Sequence, residues 1–447
     1  MRYLRDMKVL HIGKESGGYP VSGLCLEIAL LFVTPFISQY LSLLVLAVCI
    51  YRMVRYDSKV FATDYCALIS FAPLFRIPGM AMLLVYVFIV AGIWYFIRGR
   101  SLKINIVTVF IVLLLFYLIT RMDMAFTNFV ICFGHMFTLY VLIPRQTSES
   151  AVRAAKAFSS GLIVSSVYSL VFRNAHQIVE LRGKESPLFW GGSIMRFEGL
   201  FGDPNYYMAL VLVAIAVLIK LKDSGNIKPV SFWISAVIHI FFGVISYSKT
   251  FFVVLVVLVF VYVLWQFRNK KVLYGIFMTL LIVVSANILL FSDWSPFALL
   301  LERFFEATNL HEFTTGRSTL WTQYVRTIFS SPITAFFGFG LDAPDLELAA
   351  HNIVIEVMYY LGIIGCVLYF GVLISLFSKL IRNRGKVTGR HFIEKYFVIL
   401  IVAILHMSLH GMFQVIFYAN VFIGILSCLI VPLDNDGGDP TVTQEIN

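Results

Sequence analysis

Three short stretches of an otherwise apolar chain carry side chains that could act on a phosphorylated substrate. They are Arg196 in MRFEGLFGDPNYYMAL, Gly316 and Arg317 in TTGRSTLW, and His351 with Asn352 in HNIVIEVMYYLGIIG. A guanidinium is always charged and offers a planar fork of donors that matches phosphate oxygens. Leu320, Trp321, Tyr324, Val325, Ile328 and Phe329 recur at helical spacing. Arg317 therefore stands where a helix starts, and free backbone N–H groups there add to its attraction for an anion. Lys249, in SYSKTFF, could supply a third positive charge. His351 titrates near neutrality and could take a proton from a sugar or other hydroxyl.

Each of these residues also has a structural reading. Asp203 before Pro204 is the signature of a helix start, with the carboxylate capping free N–H groups and proline at the first helical position. Asn205 and Asn352 suit the same capping and orienting duty. Arg196 could be a solvated charge, Arg317 could pair with Asp342 or Asp345, and Lys249 could reach up to lipid headgroups. His351 could be an interfacial cap. On a continuous helix Gly362 falls within about 20° of His351 and Gly365 about 40° to the other side. The two glycines are thus expected as notches for close helix packing below His351, although G-x-x-G is not the G-x-x-x-G dimer pattern. His135, His239, His406 and His410 lie in apolar segments and read as interhelical hydrogen-bonders, since no third ligand accompanies the i, i+4 pair His406 and His410.

The elements that must position these groups are helices in a membrane. Of 447 residues 60% are hydrophobic and only 13% charged, far from the usual balance of a soluble domain. Apolar stretches long enough to cross a bilayer predict an all-α polytopic protein with about 14 transmembrane helices, 12 to 14 allowing for the first pair. That pair, 18–34 and 37–54, contains Glu27 and Pro35, so a single tilted or re-entrant element is an alternative. The organisation expected is N-terminal helices over 1–172, a first outer loop at 173–203 and central helices over 204–292. A second outer loop at 293–352, C-terminal helices over 353–433 and a cytoplasmic tail at 434–447, expected to be disordered, complete it. The second loop opens with SPFALLLERFFEATNL, whose Glu302, Arg303 and Glu306 mark an interfacial amphipathic helix.

Charge sets the orientation. With the N-terminus inside, 25 of the 35 lysines and arginines fall in cytoplasmic segments, which accounts for most of the net charge of +10 without nucleic acid as a partner. The same parity puts both long loops, and with them all the candidate residues, on one outer face. The polar N-terminus MRYLRDMKVLHIGKESGGYP has no small-residue cleavage pattern of a signal peptide. All six cysteines sit in apolar segments without metal or disulfide spacing and read as small hydrophobes.

Taken together, His351-Asn352 followed by nine residues, Gly362, two residues and Gly365 resembles the motif of the bacterial O-antigen ligase and Wzy-type polysaccharide polymerase superfamily. RFEGLFGDPNYYMAL is similar to that family's Arg-x-x-Gly and Pro-Asn segment, and TTGRSTLW with FGFGLDAP to its Gly-Arg helix and glycine-rich lead-in. The likeness runs from about 190 to 375; residues 1–170 share only the string of spans.

The resemblance implies a C-type glycosyltransferase architecture in the bacterial inner membrane with its site on the periplasmic face. It implies a glycan donor on undecaprenyl pyrophosphate, a glycan or lipid-linked acceptor, no metal and no other cofactor. Membrane lipids, a flippase and a chain-length regulator are the partners it allows. His351, Arg196 and Arg317 would be the catalytic residues, with Lys249 beside the two arginines at the pyrophosphate and Asn352, Asp203, Asn205, Gly362 and Gly365 in support.

A repeat-unit polymerase is the expected activity, with a ligase acting on lipid A-core as the alternative and a lipid-linked oligosaccharide transporter as a more remote one. Direct displacement would invert the anomeric centre. A double displacement would call on a carboxylate pair, for which Glu198, Asp203, Asp342 and Asp345 are available.

Overall fold

The computed structural model describes residues 20–77, 82–99, 104–121, 126–172, 185–187, 193–268, 317–344, 346, 349–382, 392–407, 409 and 414–429. The expected span at 271–292, the amphipathic helix with Glu302, Arg303 and Glu306, and Gly316, Asp345, His410 and the tail lie outside these residues.

The described chain is helical apart from one short antiparallel ladder, β1 (Glu185–Pro187) with β2 (Ser193–Met195), just before the Arg196 segment. Among the described residues, four helical stretches are long and apolar enough to cross a membrane: Thr127–Arg145, Ser148–Phe172, Pro204–Asp223 and Ile353–Ser378. Six shorter apolar helices accompany them.

Local chemistry sets most boundaries. The first two helices, α1 (Val21–Ile37) and α2 (Ser42–Arg55), are separate and joined by a single 3-10 turn at Gln39–Leu41. The apolar stretch 59–75 is not one α-helix. Asp57 caps α3 (Ser58–Leu68) through the N–H groups of Lys59 and Val60, and the chain then tightens into a 3-10 turn, Ile69–Leu74, that contains Pro73. Next come α4 (Leu83–Gly99), α5 (Ile106–Thr120) with a reciprocal Asn105 and Thr108 cap, α6 (Phe126–Leu142) and α7 (Ser148–Phe172). The central helices are α8 (Pro204–Asp223), α9 (Pro229–Val244) and α10 (Lys249–Arg268). Two short helices, α11 (Arg317–Ile328) and α12 (Pro332–Phe337), precede α13 (Ile353–Arg382), α14 (Phe392–His406) and α15 (Val415–Cys428).

At the centre of the bundle, α15 is buried at every residue and α8 at most of its residues. Small residues let the helices close on one another: a Cβ at Gly161 of α7 would come within 2.7 Å of the Ala67 carbonyl oxygen in α3. Polar side chains bridge helices where they can, as Thr108 with Tyr140, Ser166 with Tyr207 and Ser159 with His239. His135 and His406 depart from the expected role. Each ring Nδ1 bonds the carbonyl four residues back in its own helix, so their contacts across helices are aromatic, His135 stacked on Tyr418 and His406 edge-on to Phe417. Outward faces carry exposed Ile93, Phe116, Val171, Ile234, Phe260 and Val367, which suit acyl chains better than water.

Hydrogen bonds sort the helix ends into two groups. Near Pro20, whose carbonyl accepts from Arg52 Nη1, Tyr95 donates to Met53, Gln146 to Ser58 and Ser148 to Leu429. At the other end Ser42 donates to Leu74, Ser169 to Gly199 and Tyr117 to Leu361. This second end holds every candidate residue.

Candidate functional site

Four helices begin in one region at that second end: α8, α10, α11 and α13. Asp203 caps α8, its carboxylate accepting from the Asn205 N–H at 2.6 Å, with Pro204 at the first helical position. Ser248 precedes α10; its carbonyl accepts from the Phe252 N–H, and its hydroxyl lies 3.5 Å from Asn205 Oδ1. Asn352 caps α13, accepting from Val354 at 3.0 Å and Ile355 at 3.2 Å. The start of α11 is tied in by Trp321, whose indole N–H donates to the Ala350 carbonyl at 2.7 Å. Arg317 stands four residues before Trp321, hence on the same helix face.

The charged groups follow from this frame. Arg196 Nε donates to the Ser246 carbonyl at 3.1 Å, and the Phe197 N–H to the Ile245 carbonyl at 3.0 Å, so the Arg196 segment runs beside the α9–α10 turn that carries Lys249. Arg317 is the partner of Asp203 in electrostatic terms. Burial lowers the guanidinium's pKa and the Asp203 carboxylate opposes that shift; a guanidinium is in any case charged at ordinary pH. The Tyr206 phenol, on the first turn of α8, feels both Asp203 and Glu356 of α13. Arg196, Asp203, Asn205, Lys249, Arg317, His351 and Asn352 are all half-buried.

Backbone strain falls in the same place. Among the described residues only two that are not glycine have a positive φ, Tyr247 and His351, each at 50°. Bulky side chains occupy that region at a cost of order 1–3 kcal/mol and persist there only where the surroundings enforce it. Tyr247 separates Ser246, the acceptor of Arg196, from Ser248 at the head of α10; His351 sits directly before the Asn352 cap.

The glycines do something other than the helical wheel suggests. His351 lies outside the helix and Gly362 has φ 65°, ψ −171°, a break within α13, so the two do not share a continuous face. At the break, Gly362 crosses Gly338 backbone to backbone. A Cβ on Gly362 would lie 2.4 Å from the Phe336 oxygen, and one on Gly338 2.5 Å from the Tyr360 oxygen. The carbonyls freed by the break are used: Tyr359 and Tyr360 accept from Phe339 and Gly340 at 2.8 and 2.9 Å, and Leu361 accepts from the Tyr117 hydroxyl at 2.6 Å. Arg121 adds a bond to the Gly338 carbonyl at 2.7 Å. Gly365, one turn below, faces Leu361 and Tyr117.

Sequence reasoning passed over Tyr247, Glu356, Tyr206, Tyr117 and Arg121. Only Glu356 carried a signal, as the one Asp, Glu, Lys, Arg or His between Ile353 and Ser378. Of the carboxylates considered for a double displacement, Glu198 is buried and Asp203 is engaged in the cap. Among the described residues no three His, Cys, Asp or Glu side chains gather as a metal site would require.

The described residues form a helical chain, four of whose helices are long and apolar enough to cross a membrane, with a cationic polar cluster at one end. No protein-family model, curated protein or solved structure matches it.

Proposed function

We propose that the protein is a membrane glycosyltransferase, a repeat-unit polymerase that moves a glycan from undecaprenyl pyrophosphate to a sugar hydroxyl of another lipid-linked repeat. On this reading the chain crosses the bacterial inner membrane about fourteen times in a C-type arrangement, and the end that holds His351 faces the periplasm. The observation that carries it is that α8, α10, α11 and α13 begin at one end of the bundle, which brings Arg196, Lys249 and Arg317 to the same end as the strained His351.

Such a cluster suits a pyrophosphate. The bond from the anomeric carbon to the pyrophosphate oxygen breaks with its electron pair on that oxygen, and the growing negative charge is met by fixed cations and aligned N–H groups. The acceptor oxygen attacks the opposite face of the anomeric carbon, and its proton passes to His351. The result is inversion. Asp203 and Asn352 hold the helix starts, and Asp203 orients Arg317. Apolar outer faces of the bundle provide for the polyprenyl tail.

Three substitutions test this reading: His351→Ala, Arg196→Ala and Arg317→Ala, each assayed for polymer transfer in membranes alongside the amount of inserted protein. Each is expected to lower transfer by about 100-fold or more at unchanged insertion. Wild-type activity in any two of them overturns the mechanism. Gene deletion followed by glycan electrophoresis separates the two transferases. A single repeat left on lipid A-core marks a polymerase, whereas accumulated lipid-linked polymer marks a ligase.

A further inference from the structure

α11 and α12 belong by sequence to the second outer loop, yet together they carry the apolar surface of a membrane element. Val325, Phe329, Ile333, Phe336 and Phe337 are all exposed, Ile333 at 72%. Apolar side chains gathered so densely mark a surface that something apolar covers. On α11 the exposed residues divide, Val325 and Phe329 on one flank and the polar Thr319 and Gln323 on another, since residues four apart share a face. The elbow between the helices is held in shape. Ser331 and Thr334 cap the start of α12 reciprocally, and the Thr334 hydroxyl donates to the Ile328 carbonyl at the end of α11 at 2.8 Å.

The depth of the elbow follows from α13. Gly338, directly after α12, crosses Gly362 backbone to backbone. By the rise of an α-helix, Gly362 lies roughly 13 Å along α13 from Ile353 and roughly 25 Å from Lys379. A hydrocarbon core is about 30 Å thick, so a core bounded at Lys379 reaches past the crossing. Tilt of α13 only takes the crossing deeper. Irregular backbone at that depth is tolerated where protein satisfies its polar groups. Here Tyr117 donates to the Phe337 carbonyl at 2.9 Å and Arg121 to the Gly338 carbonyl. The N–H groups of Gly338, Phe339 and Gly340 donate to the carbonyls of Thr334, Tyr359 and Tyr360.

Continuity names the occupant. Tyr117, which holds Phe337, follows Phe116, and Phe116 forms with Val112 and Ile119 an exposed apolar face of α5. The patch on α12 therefore extends a surface already suited to acyl chains. Arg326, exposed in the last turn of α11, has a stem long enough to carry its charge up to phosphate headgroups.

We propose that the α11–α12 elbow is a re-entrant membrane element: Val325, Phe329, Ile333, Phe336 and Phe337 lie among the acyl chains of the leaflet at the His351 end, and Arg326 meets the lipid phosphates. α11 then runs from Arg317 in the cationic cluster to hydrocarbon at Phe329. The cluster thus stands within one short helix of the lipid. This placement does not depend on the chemistry assigned to the site.

The wild-type chain in vesicles of phosphatidylethanolamine and phosphatidylglycerol, with a diazirine in the acyl chains, should on photolysis gain adducts between Phe329 and Phe337 as well as on α5. Adducts on α5 with none on the elbow overturn the proposal. Nitroxide labels give a second measurement, in the full chain with its six cysteines replaced by alanine. At Ile333→Cys and Phe336→Cys the ratio of collisions with oxygen to collisions with a soluble nickel chelate should match that at Phe116→Cys and exceed that at Gln323→Cys several-fold. A ratio like that of Gln323→Cys puts the elbow in water and overturns the proposal. Shielding from both reagents also overturns it, and shows that another segment of this chain or a second protein covers the patch. Neither readout requires turnover. Loss of the glycosyltransferase reading would leave the elbow in lipid, and an elbow in water would leave the tests of His351, Arg196 and Arg317 as they stand.

Discussion

At the scale of single residues, glycine does most to shape the site, and two kinds of positive-φ glycine can be told apart by substitution. Gly225 has φ 70° with open space where a Cβ would go, so Gly225→Ala should cost only the backbone strain, about 1–2 kcal/mol. Gly362→Ala adds to that strain a Cβ 2.4 Å from a carbonyl oxygen held by its own packing. It should destabilise by more than about 3 kcal/mol, read as a larger fall in the detergent unfolding midpoint than Gly225→Ala gives. Equal midpoints would mean that the Gly338 and Gly362 crossing is not tight. The comparison shows what a sequence reveals at this scale. Caps are local, so Asp203 with Pro204 and the start at Asn352 were legible from a few neighbours. The job of Gly362 was not, because its counterpart Gly338 comes from a different segment and a helical wheel presumes that the helix continues. For the same reason, the interaction of Asp203 with Arg317 was not legible, since the two residues come from separate segments.

At the scale of elements, apolar runs announced where helices lie, while the polar residues inside them were ambiguous. Glu27 cast doubt on whether α1 and α2 were separate helices. The structure resolves the pair through Arg52, whose Nε and Nη2 each bond Asp64 of α3 at 2.8 Å and whose Nε lies 3.7 Å from Glu27 Oε1. Gly23 leaves the space for that guanidinium, since a Cβ there would meet Arg52 Nη1 at 2.0 Å. Three elements are thereby fastened near the Pro20 end by one buried ionic group. Removing one member strands an opposite charge in the interior, so Arg52→Ala or Asp64→Ala should each cost about 3–5 kcal/mol. Asp57→Ala, which removes only the cap of α3 a short way along, should cost about 1 kcal/mol. Chemical or thermal unfolding in detergent ranks the three variants. A rank in which Asp57→Ala matches Asp64→Ala would deny the ionic group its role in joining α1, α2 and α3.

At the scale of the whole molecule, the hydrogen bonds at the helix ends and the distribution of lysine and arginine make the same division. Arg52, Arg55, Lys59, Arg98 and Arg145 gather at the end near Pro20, while Ser169 of α7 donates to Gly199, just ahead of α8, at the end near His351. In a bilayer, the positive-inside rule would put the first end in the cytoplasm and the His351 site outside. The test needs one residue from each end, both exposed in the fold: Lys228, just before α9, and Asp342, between α12 and α13. In a chain whose six native cysteines are replaced by alanine, Asp342→Cys should react with a membrane-impermeant maleimide on intact cells, or spheroplasts of an organism with an outer membrane. Lys228→Cys should react only after permeabilisation. The segment between them holds α9, α10 and the apolar stretch 271–292, so opposite labelling requires an odd number of crossings there, three on the sequence reading. Labelling of both cysteines from the same side would reduce that number to an even one. If Lys228→Cys were the residue labelled from outside, Arg196, Arg317 and His351 would face the cytoplasm, where a periplasmic polymerase or ligase could not use them.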